Sequence, residues 1–252
     1  MASVKETKEL LLQCRAAGEE EQVANLAYKL GDIYREKGKH EQALPLLEES
    51  LALCRKHENP EGEAIVALSL AESHLEQSDP HRAESLAALA LGFFRKHQDI
   101  RRQVKACLLL GDTHWARKGY EAAIPLYEEA LEACRTHEDV MGTASLLDRL
   151  AKMNRLLHRE EEALAYFHES LACWQKLSIP DREAMTWANM GDIHKRGGDL
   201  EGAFRCHEKA LALYRQLKKP KAVEALEKEL QALQGVNKED GPEESEKPDE
   251  VD

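Results

Sequence analysis

Apolar residues recur along most of this chain at the spacing of one face of an α-helix. The first such stripe consists of Val23, Leu26, Ala27, Leu30, Ile33 and Tyr34. A polar break at Lys37-Gly38-Lys39 separates it from a second stripe that carries Ala43, Leu47 and Leu51. Apolar positions three and four residues apart predict amphipathic helices, and the short break predicts a turn between them. Runs of alternating apolar and polar residues, typical of strands, are not found. The pattern therefore predicts an all-α chain of helix pairs.

The pattern repeats with a period of 40 residues, which aligns five units. The aligned columns are Ala43, Ala83, Ala123, Ala163 and Ala203; Leu11, Leu51, Leu91, Leu131, Leu171 and Leu211; and Gly31, Ala71, Gly111, Ala151 and Gly191. Small residues at one place in each helix allow two backbones to approach closely, whereas larger side chains would force them apart. The columns therefore predict helix pairs that cross at their Gly and Ala positions.

These columns resemble the tetratricopeptide repeat. The first unit carries Ala27, Leu30-Gly31, Tyr34, Ala43 and Leu47; the third carries Cys107, Leu110-Gly111, His114, Ala123 and Tyr127; the fifth carries Trp187, Met190-Gly191, His194, Ala203 and His207. The family's closing Pro is replaced by Arg55, Arg95, Arg135, Gln175 and Arg215, so the second helix can continue. The long repeats are similar to those of polarity adaptors with Leu-Gly-Asn repeats, kinesin light chain and bacterial peptide-sensing regulators. The resemblance implies a right-handed α-solenoid, a superhelix of antiparallel helix pairs.

The register predicts how the chain is divided. We expect an N-terminal half-repeat helix at 3–22 and five repeats at 23–62, 63–102, 103–142, 143–182 and 183–220. A capping helix is expected at 221–234, followed by a disordered acidic tail at 235–252, because the tail is charged and lacks apolar periodicity.

Charge and composition exclude several classes of function. The chain has 47 acidic and 35 basic residues, a net charge of −12, which disfavours binding to nucleic acid. Its apolar runs are too short for membrane insertion, and the N-terminus has no signal core, so we expect a cytoplasmic or nuclear protein. The six cysteines lack metal-type spacing and are expected to be reduced core residues. Neither a catalytic motif nor a cofactor or metal site is predicted.

The family resemblance places partner binding on the concave face, which the first helices of the repeats would line. The predicted partner-binding residues are Asn25, Tyr28, Asp32, Arg35, Leu68, Glu72, Leu75, Lys105, Leu108, Asp112, Trp115, Asp148, Lys152, Arg155, Asp192 and Lys195. Leu68, Leu75, Leu108 and Trp115 would form an apolar patch, and the cations would fix the ends of a peptide. The alternative for Trp115 is ordinary packing against its neighbours.

The function expected from these features is that of a protein-binding adaptor or scaffold. A clamp for a terminal carboxylate is rejected, because the positions where such clamps carry Asn are mostly acidic here, as in Asp32 and Glu72. Two alternatives stay open: self-association as a homo-oligomeric structural subunit, and a co-chaperone-like factor that presents its C-terminal Asp-Glu-Val-Asp. The basic stretch from Lys195 to Lys221 also raises the hypothesis of an intramolecular contact between the acidic tail and the last repeat.

Overall fold

The computed structural model describes residues 4–239, and this part of the chain forms helices joined by short turns, without strands. It divides into two compact units, which are described separately. Unit 1 contains α1 (Val4–Ala17), α2 (Glu20–Glu36), α3 (His40–Lys56), α4 (Pro60–Glu76), α5 (Pro80–His97), α6 (Ile100–Ala116) and α7 (Tyr120–Thr136). Unit 2 contains α8 (Val140–Leu156), α9 (Glu160–Lys176), α10 (Pro180–Arg196), α11 (Leu200–Gln216) and α12 (Pro220–Glu239). The predicted all-α architecture is confirmed.

Each repeat consists of a first helix and a second helix of similar length. The first helices are α2, α4 and α6 in unit 1 and α8 and α10 in unit 2, and each packs against the helix that follows it. Helix α12 begins at the position of a first helix, 40 residues after α10. It ends at Glu239, beyond residue 234, and residues 240–252 of the predicted tail lie outside the described residues.

The turns explain why a helix starts every 20 residues. One residue in each turn adopts the left-handed conformation, with φ of 73° at Gly18 and 67° at Gly38. The same geometry is found at non-glycine residues, including Lys118 (φ 60°) and His158 (φ 58°). At the first turn between paired helices, the N–H groups of Gly38 and Lys39 donate to the carbonyls of Arg35 and Tyr34. These bonds satisfy carbonyls that a helix end leaves unpaired, so the turn closes even where no glycine is present.

The distance between paired helices depends on the column of small residues. A Cβ atom added to Gly31 would lie 2.8 Å from Leu47 Cγ, and one added to Gly191 would lie 2.6 Å from His207 Cε1. Real Cβ atoms do not come this close to other heavy atoms, so the glycines set the distance between the two helices. The prediction that the small residues mark the helix crossing is confirmed for these pairs.

The core of each unit is built from the repeated apolar columns. Ala43, Ala83, Ala123, Ala163 and Ala203 are all fully buried. The cysteines are free thiols; five are buried and Cys173 is half-buried. Burial raises the pKa of the Cys107 thiol to about 12, so this group stays protonated and behaves as a small apolar side chain.

Candidate partner-binding face

The predicted binding residues all lie on the first helices of the repeats, and we call the outward side of these helices the A face. In unit 1 it comprises the outward positions of α2, α4 and α6; in unit 2 it comprises those of α8 and α10. Because each first helix repeats the same register, equivalent side chains on neighbouring helices come within contact distance. The two parts of the A face differ in charge and burial.

In unit 1 the A face opens into a cleft of about 400 Å³ between α2 and α4. The predicted residues Asn25 and Tyr28 line it from α2, and Ile65 lines it from α4. Tyr28 is half-buried, and burial, followed by the nearby Asp32 carboxylate, raises the pKa of its phenol. The cleft therefore combines an aromatic ring, an aliphatic side chain and an amide, a mixture suited to holding a side chain of a peptide.

The end of α3 supplies residues of this cleft that the sequence did not identify. Leu53, Cys54 and His57 also line it, and Asn59 lines it from the turn before α4. The prediction considered only first helices, whereas the cleft also uses the last turn of a second helix. The amide oxygen of Asn59 already accepts the N–H of Gly62 at 2.9 Å, so it caps α4.

A ladder of ion pairs crosses the A face of unit 1. Arg35 donates to Asp32 at 2.9 Å and lies 2.9 Å from Glu72, while Lys105 lies 2.8 Å from the other oxygen of Glu72. Ser69 also donates to Asp32, at 3.2 Å. The ladder joins α2, α4 and α6 side by side. The cations predicted to hold a peptide in this unit therefore already have acidic partners within the chain.

The expected apolar patch is only partly exposed. Leu68 is buried, with 4% of its surface exposed. Leu75, Leu108 and Trp115 are half-buried. The Trp115 ring meets that of Tyr120 edge to face, with centroids 5.8 Å apart, so ordinary packing accounts for part of its surface. These three side chains leave a smaller apolar surface than the sequence indicated.

Asp112, the predicted residue of α6, has a structural partner. It accepts a hydrogen bond from the hydroxyl group of Tyr127 in α7. Tyr127 is fully buried and lies against Gly111, so the bond fixes both the ring and the carboxylate. Asp112 therefore contributes to the packing of its own repeat as well as to the A face.

In unit 2, Asp148 is a buried carboxylate with 6% of its surface exposed. It accepts hydrogen bonds from Ser170 Oγ at 2.5 Å and from Trp174 Nε1 at 3.1 Å. Burial raises the pKa of this group, although both hydrogen bonds favour the ionised form. Asp148 thus ties α8 to α9 and contributes packing rather than an exposed surface for a partner.

The remaining predicted residues of unit 2 lie at or near the surface. Arg155 lies 3.7 Å from Asp192, and Lys195 pairs with Glu229 of α12. Lys152 is half-buried, and burial lowers the pKa of its ammonium group. Within residues 4–239, none of the His, Cys, Asp and Glu side chains form a cluster that could hold a metal ion.

The fold and the A face define a helical repeat protein of the interaction-scaffold class. The tetratricopeptide repeat family matches residues 22–96, 104–167 and 142–216. These matches include most of the chain, so the chain belongs to the tetratricopeptide repeat family, as its columns predicted.

Solved structures show the same fold at low sequence identity. The apo form of RapI is 12% identical, with a TM-score of 0.70, over 77% of this chain and 71% of that chain. TPR-like repeats assigned to a kinesin light chain of Podosopora anserina are 15% identical, with a TM-score of 0.66, over 77% and 95%. A Rap protein complexed with Competence and Sporulation Factor is 14% identical, with a TM-score of 0.60, over 87% and 62%. These likenesses confirm the predicted solenoid class.

No curated protein sequence matches the chain. Among the helices of residues 4–239, none is both long and apolar enough to cross a bilayer.

Proposed function

We propose that this chain is a non-catalytic adaptor that binds a peptide segment of a partner protein on its A face, with the cleft between α2 and α4 as the main contact. The observation that carries the proposal is the cleft itself, which lies at the predicted residues Asn25 and Tyr28 and has a volume of about 400 Å³. Tetratricopeptide repeats are interaction scaffolds, and one structure of this fold was solved with a bound factor.

The composition of the cleft indicates the kind of segment that would fit. Its floor is apolar, from Leu53, Ile65 and Val66, and its rim is polar, from Glu21 and Lys29. An apolar side chain of the partner would enter the cleft, while its backbone would meet the amide of Asn25. The ion-pair ladder beside the cleft would support the binding surface by keeping α2 and α4 at a fixed distance.

The test is an affinity purification with quantitative mass spectrometry on three forms of the full chain. Ile65→Arg places a long side chain in the cleft, and we expect it to remove the partners that the wild type captures. Leu89→Arg is the matched control, since Leu89 is an exposed leucine on a second helix, with 36% of its surface exposed. The control should retain those partners.

Folding must be checked in the same samples. Circular dichroism should show equal helix content in all three forms, because Ile65 is half-buried and Leu89 is exposed. If Ile65→Arg folds and captures the same partners as the wild type, the cleft is not the binding site. If loss occurs instead with Trp115→Arg and Leu108→Arg together, binding belongs to the apolar part of α6.

Self-association is the second candidate, and one feature favours it. Leu10 and Leu12 on α1 are 45% and 62% exposed, and exposed leucines on a surface helix can pack against a second copy. Light scattering over a concentration series should then show a dimer that Leu10→Ser with Leu12→Ser converts to a monomer. A constant monomer mass in the wild type would exclude this candidate.

A further inference from the structure

The A face of unit 2 carries a group of cations that have fewer close acidic partners than the cations of unit 1. Lys152, Arg155 and Arg182 form this basic cluster. Burial lowers the pKa of Lys152, the nearby Asp148 carboxylate raises it, and Arg182 and Arg149 lower it further. Within the described residues, no carboxylate lies within 4.0 Å of the charged atoms of Lys152 or Arg182. Unit 1 differs, because there Arg35 and Lys105 each have a carboxylate within 2.9 Å.

The acids nearest to the basic cluster already have partners within the protein. Asp148 is buried and accepts hydrogen bonds from Ser170 and Trp174, and Asp192 lies 3.7 Å from Arg155. The Nε atom of Arg155 is buried and has no hydrogen-bond partner. Clustered cations repel one another, and an anion placed among them relieves that repulsion. The cluster therefore has the features of a surface that accepts carboxylates.

We propose that residues 240–252, the C-terminal segment of the same chain, bind across this basic cluster. The segment contains seven acidic residues and one basic residue, Lys247. It follows directly on α12, a helix of the same unit. Its charge is thus complementary to the cluster, and its attachment keeps it close.

The length of the segment is sufficient for this contact. Lys195 of α10 pairs with Glu229 of α12, and Arg155 of α8 lies near Asp192 of α10, so α8, α10 and α12 are successive neighbours. Neighbouring helices are about 10 Å apart, so α8 lies about 20 Å from α12. Thirteen residues reach about 40 Å when extended.

The attachment also favours this occupant over a free acidic peptide. A short flexible tether gives an effective concentration on the order of millimolar, which exceeds the concentration of most separate partners. An acidic partner would have to displace the segment, so the contact would set a threshold for binding at unit 2. The cleft of unit 1 has its own lining residues and does not include the cluster.

Zero-length carbodiimide cross-linking of the full chain, read by peptide mass spectrometry, tests the proposal. We expect a cross-link between Lys152 and an acidic residue of 240–252. The pairs Lys195–Glu229 and Lys105–Glu72 serve as internal controls, because each is an ion pair in the structure. Arg182→Ala should lower the yield of the Lys152 product about two- to fivefold, as expected for loss of one exposed charge contact, while leaving the controls unchanged.

Two results would overturn the proposal. The first is absence of the Lys152 product while both control cross-links form. The second is a Lys152 product that joins two chains, which mixing ¹⁵N-labelled and unlabelled protein would reveal; the segment would then act on a second copy. A product within one chain that also weakens as salt rises from about 20 to 300 mM supports an electrostatic intramolecular contact.

Discussion

Replacing Gly111 with alanine tests the argument that the small column sets the spacing between paired helices. The added Cβ would lie 2.5 Å from Cε1 of Tyr127 and 2.9 Å from its Cδ1 and Cζ atoms. Ordinary contacts begin near 3.4 Å, so the ring or the helix must shift by roughly 1 Å. Tyr127 is fully buried and its hydroxyl group donates a hydrogen bond to Asp112, so the ring has little freedom to move away.

The expected change in the free energy of unfolding follows from two opposing effects. Overpacking of this kind costs about 1–3 kcal/mol, whereas Gly→Ala inside a helix stabilises by about 1 kcal/mol. Gly92 is the matched control, because it lies inside α5 and an added Cβ would meet nothing within 4 Å. Gly92→Ala should therefore be stabilising. The free energies of unfolding of the two variants should differ by about 1–3 kcal/mol, since the helix effect is common to both.

The assay is urea denaturation followed by far-UV circular dichroism. Because both glycines lie in unit 1, the two variants affect the stability of the same unit. In repeat 4 the positions equivalent to Gly111 and Tyr127 hold Ala151 and Phe167, which are both fully buried in one apolar cluster. An alanine is therefore accommodated there beside a ring that has no hydroxyl group. Tyr127→Phe should consequently reduce the penalty of Gly111→Ala. Equal unfolding free energies for Gly111→Ala and Gly92→Ala would refute the reasoning.

Three other predictions concern single residues. Gly38→Ala should lower stability by about 1 kcal/mol in thermal unfolding, because its φ is 67°; an unchanged melting temperature would contradict this. Cys107 should react with iodoacetamide only after unfolding, since burial raises its pKa to about 12, while half-buried Cys173 should react first. Burial lowers the pKa of His207, so the unfolded chain binds its proton more readily and the wild type should lose stability as pH falls from about 7 to 5. His207→Leu reproduces beside Gly191 the contact that Gly31 makes with Leu47. It should remove this part of the pH dependence of the unfolding free energy, as measured by denaturation.

The helices and their register could be predicted from the sequence because the packing columns are strict. The turn at Leu157-His158-Arg159 has no Gly or Pro, yet His158 adopts the same left-handed conformation as Gly38. A repeat that packs on both sides imposes this geometry even where the local sequence does not favour it. Periodicity was therefore a better guide to this turn than its composition.

The binding face was harder to predict, because helical periodicity does not show how side chains interact across repeats. Leu68 is off the main apolar stripe, but it is buried, with 4% of its surface exposed. Arg35 was expected to be available to a peptide, but it pairs with Glu72, which lies 37 positions along the chain. Such contacts depend on side-chain length and rotamer, which a column of residue types does not fix.

One substitution within a repeat column gives the two parts of the A face different electrostatic properties. The column holds Asp32, Glu72, Asp112 and Asp192, and these acids offset the neighbouring cations. In repeat 4 it holds Lys152, so the position that supplies an anion elsewhere supplies another cation. A partner segment that relies on apolar contacts should therefore prefer the cleft of unit 1, where charge is already balanced, whereas an acidic segment should prefer unit 2. Exchanging Lys152 for Asp would make unit 2 electrostatically similar to unit 1, and the preference for acidic segments should disappear while the fold is retained.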